Sequence, residues 1–403
     1  MVDDIVIIGA GYVGLPNAVF FADAGYSVVA IDKNEKIIRD INIGISHVKE
    51  TDVEILLKKH VMSGNLKASN RLVEGKCYII AVPTPICGTD KTADVSYVFA
   101  AIEELCPLLK KDDLILLFST CPVGTTEKIA TIIQECRTDL IVADENCKTI
   151  LDISIAYCPE RVMPGSSMQE LRDNLKVVGG YTNLCTKKVK IFLFKAYGNR
   201  MLVAENSRAA ELIKLTENSY RDVQIAYVNQ LSMICDEVKV DVSSIIKIAN
   251  EHPRIDLLTP GIGVGGHCIP VDPWFLIKDY PSYCELSISA RKINLQKENF
   301  ILQKIISAFT VSKKKKIMIF GLSYKENIGD FRESPAVRIF EALHKHYPDV
   351  YAIDTHINSL EQIHENVSSE IISNDALASF FNVLLVKHTD FVENLQLHYD
   401  LKF

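Results

Sequence analysis

The run Pro260-Gly261-Ile262-Gly263-Val264-Gly265-Gly266-His267-Cys268 sets a thiol behind four glycines, with Asp272 four residues on. Glycine backbone comes close to a ligand and leaves a thiol accessible, as a nucleophile requires; a buried structural cysteine needs no such setting. A second constellation lies in a stretch of helical periodicity. There Lys214, Asn218 and Arg221 fall at i, i+4 and i+7, which puts an ammonium, an amide and a guanidinium on one face. Taken alone, that stripe reads as a solvated helix surface. A third is the fingerprint Gly9-Ala10-Gly11-Tyr12-Val13-Gly14, which follows the apolar run 5–8 and opens a helix. Gly9 permits the tight turn, Gly11 lets backbone N–H groups approach a pyrophosphate, and Gly14 allows close helix–strand packing. Asp32 ends the next apolar run, where a carboxylate accepts from both ribose hydroxyls and repels a 2′-phosphate. This combination predicts NAD as the cofactor rather than NADP, with Lys33 as the neighbour that weakens the preference.

Further polar residues follow apolar runs, where the carboxyl ends of strands would present them. Pro83 and Thr84 lie in Val82-Pro83-Thr84-Pro85; Ser119 and Thr120 open Ser119-Thr120-Cys121-Pro122-Val123-Gly124-Thr125. Their hydroxyls can reach a cofactor or substrate in a doubly wound sheet, although each segment also reads as a structural turn. Glu160, in Tyr157-Cys158-Pro159-Glu160-Arg161-Val162, offers a carboxylate at the same edge or simply pairs with Arg161.

The elements that must position these groups read as α/β. Apolar runs at 5–8, 27–31, 77–82, 114–118, 153–157 and 176–178 alternate with helical patterns. Runs apolar throughout fit strands buried on both faces. From Glu205 to Val238 the pattern changes to one long helix without Pro or Gly, followed by helices at about 243–251 and 285–310. After Lys313-Lys314-Lys315-Lys316, a solvated lead-in, come a strand at 317–320, a helix at 334–346 and strands at 350–353 and 382–386. The expected fold class is two Rossmann-like doubly wound domains joined by a central long-helix region: 1–200, 201–310 and 311–403.

Composition narrows the function classes. The 403 residues carry 44 Lys+Arg against 51 Asp+Glu, a net charge of −7, which argues against nucleic-acid binding. The first apolar run is too short for a signal peptide or a membrane span, so a soluble cytoplasmic protein without membrane insertion is expected. Eleven cysteines without a CxxC pair disfavour both a disulfide scaffold and a zinc ribbon; no metal site is expected. They fit reduced thiols of which one or two do chemistry.

Taken together, GAGYVG, VPTP, STCPVGTT, YCPERVMPG, KLTENSYRD, HPRIDLLTPGIGVGGHCIPVDPWF and GLSYKENIGDFRESPA cover nearly the whole chain in fixed order. In this the sequence resembles the UDP-sugar 6-dehydrogenase family. His267 before the cysteine, where UDP-glucose enzymes usually have Ser, is similar to the branch acting on UDP-N-acetylhexosamines. Within it, Lys214–Asp222 and His252-Pro-Arg254 are most similar to the enzymes of the mannosamine sugar, with those of the glucosamine sugar next. The resemblance implies oxidation of a C6 hydroxyl to a carboxylate with two NAD and one water. Cys268 would be the nucleophile, favoured as thiolate by Lys214. Lys214 and Asn218 would stabilise oxyanions, Asp272 and Thr120 would position a water, and Glu160 would assist proton removal. Tyr12, Val13 and Arg332 join the cofactor residues. Glu160, Arg161, Val162, Lys214, Asn218, Arg221, Leu257, Leu258, Gly261, Gly265 and Lys325 fall to the substrate, with the backbone of 257–261 around the uridine. Arg254 would reach the substrate of a neighbouring subunit in a homodimer. His267 either contacts the acetamido group or hydrogen-bonds the loop. Two departures stand out: the segment 91–94 lacks a proline usual before Asp94, and relatives usually continue beyond Phe403, which predicts a weakened final sheet edge.

Overall fold

A computed structural model describes residues 3–88, 90–142, 151–163, 165–357, 364–370, 373–391 and 399–400. It divides into two compact units, Met1–Thr216 and Glu217–Phe403, and the division falls inside the long helix Ser207–Glu237.

The first unit is built on eight strands: β1 (Asp3–Ile8), β2 (Val28–Ile31), β3 (Leu66–Ser69), β4 (Gly75–Ile80), β7 (Leu114–Leu117), β8 (Ser154–Tyr157), β9 (Lys176–Gly180) and β10 (Met201–Val203). A short antiparallel hairpin, β5 (Ile86–Cys87) with β6 (Thr92–Ala93), stands apart from them. The sheet order is β10-β9-β8-β7-β4-β1-β2-β3. Its last six positions, read from the β3 edge, follow the 3-2-1-4-5-6 order of a dinucleotide-binding sheet. Only the β8–β9 pair is antiparallel. Ile5–Ile8 pair with Val28–Ile31 on one side and Cys77–Ile80 on the other, and all twelve are buried. Helices cover both faces, which is why these strands are apolar at every position rather than alternating. Apolar runs predicted the central strands but missed β3, a half-exposed Leu-Lys-Ala-Ser segment.

The second unit holds the rest of the long helix, then helices Val242–Ala249, Asp272–Asp279 and Glu285–Val311. A five-stranded parallel sheet follows: β11 (Lys316–Phe320), β12 (Val350–Ile353), β13 (Val367–Ser368), β14 (Phe380–Leu384) and β15 (Tyr399–Asp400), in the order β13-β12-β11-β14-β15. The strand expected at 382–386 starts two residues earlier, because Phe380 pairs with Lys316 at the start of β11. The edge expected to be weak carries β15, in register through Val383–Tyr399 and Leu384–Asp400. Helix Pro335–His346 packs on this sheet, its start fixed by Ser334 as N-cap and Pro335 in the first turn. Among the described residues no helix is long and apolar enough to cross a membrane.

Candidate active site

The fingerprint turn has the geometry its glycines imply. Gly9 sits at φ +98°, and a Cβ there would lie 2.5 Å from the carbonyl oxygen of Ala81. A Cβ on Gly14 would lie 1.7 Å from the Gly9 oxygen, so the helix Gly14–Asp23 can start only with glycine against the turn. Gly11 differs: a Cβ there would meet nothing within 4 Å. That is the open approach a pyrophosphate needs, with exposed Tyr12 and half-buried Val13 beside it. Asp32 accepts from the backbone N–H of Ala10 at 3.0 Å through Oδ2 and from that of Asn34 at 2.9 Å through Oδ1. Each oxygen keeps a lone pair for a ribose hydroxyl. An adenosine diphosphate half fits these residues.

At the next two strand ends the hydroxyls tie the turns together. Thr84 donates to the carbonyl of Thr120 at 2.6 Å, and Ser119 donates to that of Val82 at 2.7 Å. Pro83 is exposed and Thr120 half-buried. Glu160 does not take the side chain of Arg161 as its partner. It pairs with Lys176 at 3.2 Å, both side chains buried, and accepts from the Arg161 backbone N–H at 2.8 Å. The Lys176 ammonium also stands 3.8 Å above the Phe118 ring. The Arg161 guanidinium donates to the Leu175 carbonyl at 3.0 Å, and Val162 is half-buried.

Lys214 is buried on the long helix. One turn earlier, the fully buried Glu211 accepts from the backbone of Gly124 and Thr126 at 2.6 and 2.8 Å and from the Thr126 hydroxyl at 2.6 Å. It thereby caps the helix Thr125–Cys136 from another element and binds the Ser119–Thr125 turn to the helix bearing Lys214. Its carboxyl is pushed up, first by burial and then by Glu127, against the three hydrogen bonds. Sequence reading missed both Glu211 and Lys176. A charged residue at a core-facing position of an otherwise apolar pattern is the signal that could have found them.

In the second unit the structure brings Asn218, Cys268 and Asp272 into one arrangement. Asn218 donates to the carboxylate of Asp272 at 2.5 Å, and the Asp272 N–H donates to the Cys268 carbonyl at 2.8 Å. Asp272 is buried and Cys268 half-buried. The glycines before the thiol differ from expectation. A Cβ on Gly263 would stand 2.7 Å from Glu298, and one on Gly265 would stand 2.5 Å from Tyr324 and 2.8 Å from the Glu333 carbonyl oxygen. On Gly266, at φ +89°, a Cβ would stand 3.0 Å from the Tyr324 ring, and its N–H donates to the Arg332 carbonyl at 2.9 Å. These three serve packing of the loop on the β11 side of the unit; only Gly261 leaves open backbone.

The other residues singled out from the sequence lie along the same unit. Arg221, Arg254 and Lys325 are exposed. The N–H and carbonyl of Leu257 are engaged by the Asn250 side chain at 2.7 and 3.0 Å, and the Gly261 N–H donates to Asn229 at 2.9 Å. A nucleoside at 257–261 would therefore meet carbonyl lone pairs and the backbone of Leu258 rather than those two donors. Arg332 forms a two-pronged pair with Asp330 at 2.9 and 2.5 Å, and His267 Nδ1 lies 4.0 Å from the same carboxylate. Among the described residues, one cluster has metal-ligand chemistry: Asp354, His356 and His388. Its hydrogen bonds are those of a structural pair, since the Asn327 N–H donates to His388 Nδ1 at 2.8 Å and leaves Nε2–H for Asp354 at 3.1 Å.

Comparison with known proteins gives three consecutive matches. The NAD-binding, central and UDP-binding domains described for the UDP-glucose/GDP-mannose dehydrogenase family match residues 3–197, 208–296 and 318–400. A UDP-N-acetyl-D-mannosamine dehydrogenase of Campylobacter jejuni is 39% identical over 393 residues, 96% of each chain. An NDP-N-acetyl-D-galactosaminuronic acid dehydrogenase of Ralstonia nicotianae is 39% identical over 390 residues, 96% of this chain and 91% of that one. The solved UDP-D-ManNAc dehydrogenase of Pyrococcus horikoshii superposes with a TM-score of 0.87 at 31% identity, covering 97% of this chain and 91% of that one.

Proposed function

The chain belongs to the UDP-glucose/GDP-mannose dehydrogenase family, and from that membership we propose that it oxidises C6 of UDP-N-acetyl-D-mannosamine to the carboxylate, giving UDP-N-acetyl-D-mannosaminuronate. It is an NAD-dependent oxidoreductase with a domain that binds UDP. When bound, NAD supplies the acceptor for the two hydrides that a four-electron oxidation releases. The observation that carries the covalent reading is the Asn218–Asp272–Cys268 arrangement, in which a half-exposed thiol and a buried, amide-held carboxylate share one helix start.

The residues then divide the work. The Cys268 thiolate adds to the aldehyde carbon left by the first oxidation, and the former carbonyl oxygen takes a proton, giving a thiohemiacetal. After the second oxidation the resulting thioester is hydrolysed, releasing the carboxylate and the thiol. Lys214 and Asn218 donate to the oxygen that gathers charge. Asp272 and Thr120 hold the water, and Glu160, paired with Lys176, takes its proton. Capture on sulfur holds the aldehyde while the cofactor is exchanged. The segment 201–310 supplies the thiol loop and a dimer surface, and 311–403 holds the UDP. Free cysteines at all ten described positions suit a cytoplasmic setting, and the product is an activated uronate of the kind a surface-polysaccharide synthesis consumes.

The Ralstonia relative, as similar as the Campylobacter one, favours a second reading: an acetamido sugar of another configuration, such as UDP-N-acetyl-D-glucosamine or its galacto epimer. UDP-glucose is third, because His267 stands where its enzymes carry Ser. Purified protein with NAD and each UDP-sugar in turn decides among them. The expected result is two NADH per UDP-N-acetyl-D-mannosamine, little turnover of the other sugars, and weakened discrimination against UDP-glucose in His267→Ser. One NADH per sugar would sink the covalent mechanism, and a preference for another sugar would replace the substrate.

A further inference from the structure

Two long helices of the second unit meet through polar side chains where apolar ones would pack. Asp222 and Asn229 lie seven residues apart on Ser207–Glu237; Arg291 and Asn294 lie three apart on Glu285–Val311. All four are buried, none more than 5% exposed. They form one chain of hydrogen bonds with an end on each side of the thiol. The Gly261 N–H donates to Asn229 Oδ1 at 2.9 Å, and Asn229 Nδ2 donates to Asn294 Oδ1 at 2.9 Å. Asn294 Nδ2 donates to Asp222 Oδ1 at 2.8 Å. Arg291 Nε donates to Asp222 Oδ2 at 3.0 Å, while its Nη1 donates to the Pro270 carbonyl at 3.1 Å.

Stability alone does not call for this arrangement. Burial pushes the Asp222 carboxyl up and the Arg291 guanidinium down, each against the pull of its partner. Well-packed apolar residues at such a contact are commonly as stabilising as a buried ion pair or more so. What an apolar contact cannot do is hold a backbone N–H at residue 261 and a carbonyl at residue 270. Between those points the loop has three glycines and no regular secondary structure, so its path is fixed by its ends, by the Gly266 bond to Arg332 and by its packing on Tyr324.

We propose that Asp222, Asn229, Arg291 and Asn294 are positioning residues, a buried clamp that fixes Gly261 and Pro270 and thereby places Cys268 for capture of the aldehyde. The inference rests on Cys268 being the nucleophile. With the clamp released, the thiol spends less time in reach of the aldehyde carbon, so the first oxidation proceeds and part of the aldehyde leaves. Loss of folded protein would lower the rate but leave the product ratio unchanged.

The test measures NADH against uronate, with a hydrazine present to trap free aldehyde, in wild type, Asn229→Leu and Arg291→Lys. Asn229→Leu removes the acceptor for Gly261; Arg291→Lys keeps a cation on Asp222 but lacks the fork that reaches Pro270. Both variants are expected to lower kcat about tenfold, leave KM for NAD within about twofold, raise NADH per uronate above two and yield trapped hydrazone. A ratio that stays at two, with kcat within about twofold of wild type, overturns the clamp. Should Asn229→Leu not fold, Arg291→Lys carries the comparison, and hydrogen exchange on the unmodified protein adds an independent reading. There the Gly261 amide must exchange as slowly as the core of the long helix, and fast exchange overturns the proposal. Cys268→Ala that still forms uronate removes the nucleophile instead, whatever the clamp variants do.

Discussion

Two buried carboxylates show how neighbours, rather than burial alone, set the charge of a side chain here. The carboxylate of Asp113, just before β7, accepts from the backbone N–H of Lys110 at 2.7 Å. Burial pushes it up to about 6 from an ordinary value near 3.8. Asp354, after β12, is more deeply buried, yet its carboxyl is held low. Burial is again the largest influence and acts upward, but hydrogen bonds from His388, Leu322 and His356 together outweigh it. For an acid raised in the fold, the unfolded chain ionises first. The stability contribution of Asp113 is therefore fully present below about pH 4, erodes as the pH climbs to about 6, and is flat above that. Asp113→Asn should accordingly be more stable than wild type at pH 7.5 by about 1–2 kcal/mol and equal to it near pH 4, as denaturant midpoints at the two pH values would show. A variant less stable than wild type at pH 7.5 would mean that the fold does not raise the Asp113 carboxyl.

The glycines divide by what faces them, and element geometry predicts opposite phenotypes for neighbours in one motif. Gly11→Ala adds a methyl into open space, so it should leave the melting temperature unchanged and raise KM for NAD about tenfold or more. Gly14→Ala puts a methyl into the Gly9 carbonyl and should fail to fold or lose at least about 3 kcal/mol. Thermal melts with NAD titrations distinguish them; equal melting temperatures would contradict the packing. The same contrast explains what the sequence revealed. The fingerprint, the central strands and the long helix were legible, because apolar runs and periodicity report burial directly: Glu205–Val238 was expected, and Ser207–Glu237 forms. Edge strand β3 escaped because its half-exposed Leu-Lys-Ala-Ser has neither signal, and β10 because Met-Leu-Val is too short a run to mark a strand. The Cys268 loop stood out by its glycines, but the purpose of Gly263, Gly265 and Gly266 was not legible. Their crowding comes from Glu298, Tyr324, Glu333 and Pro335, residues 35 to 72 positions distant that no local pattern connects. Lys176, Glu211 and the buried clamp were hidden for the same reason: each is a polar residue whose partner lies on another element.

On the scale of the whole molecule, the long helix leaves an apolar stripe bare. Tyr220, Tyr227 and Ile234, spaced by seven, are 63%, 55% and 50% exposed in the single chain. A repeat of seven on an exposed helix face fits a helix of a second copy, so the homodimer expected by resemblance should appear in light scattering at about twice 45.1 kDa. Tyr227→Glu with Ile234→Lys should yield the single-chain mass, and an unchanged mass would place the dimer contact elsewhere. The second unit carries a different kind of dependence. Tyr324, next to Lys325, fills the space that Gly265 and Gly266 leave empty, and Pro335 stands against Gly263 and Gly265. A bulkier residue at 265 could be accepted only if Tyr324 and Pro335 changed with it. Exchange of the UDP-binding domain between relatives is thus not a free modular swap. A hybrid gene crossing over between 270 and 320 inherits its Cys268 loop from one parent and the surface that loop must fit from the other.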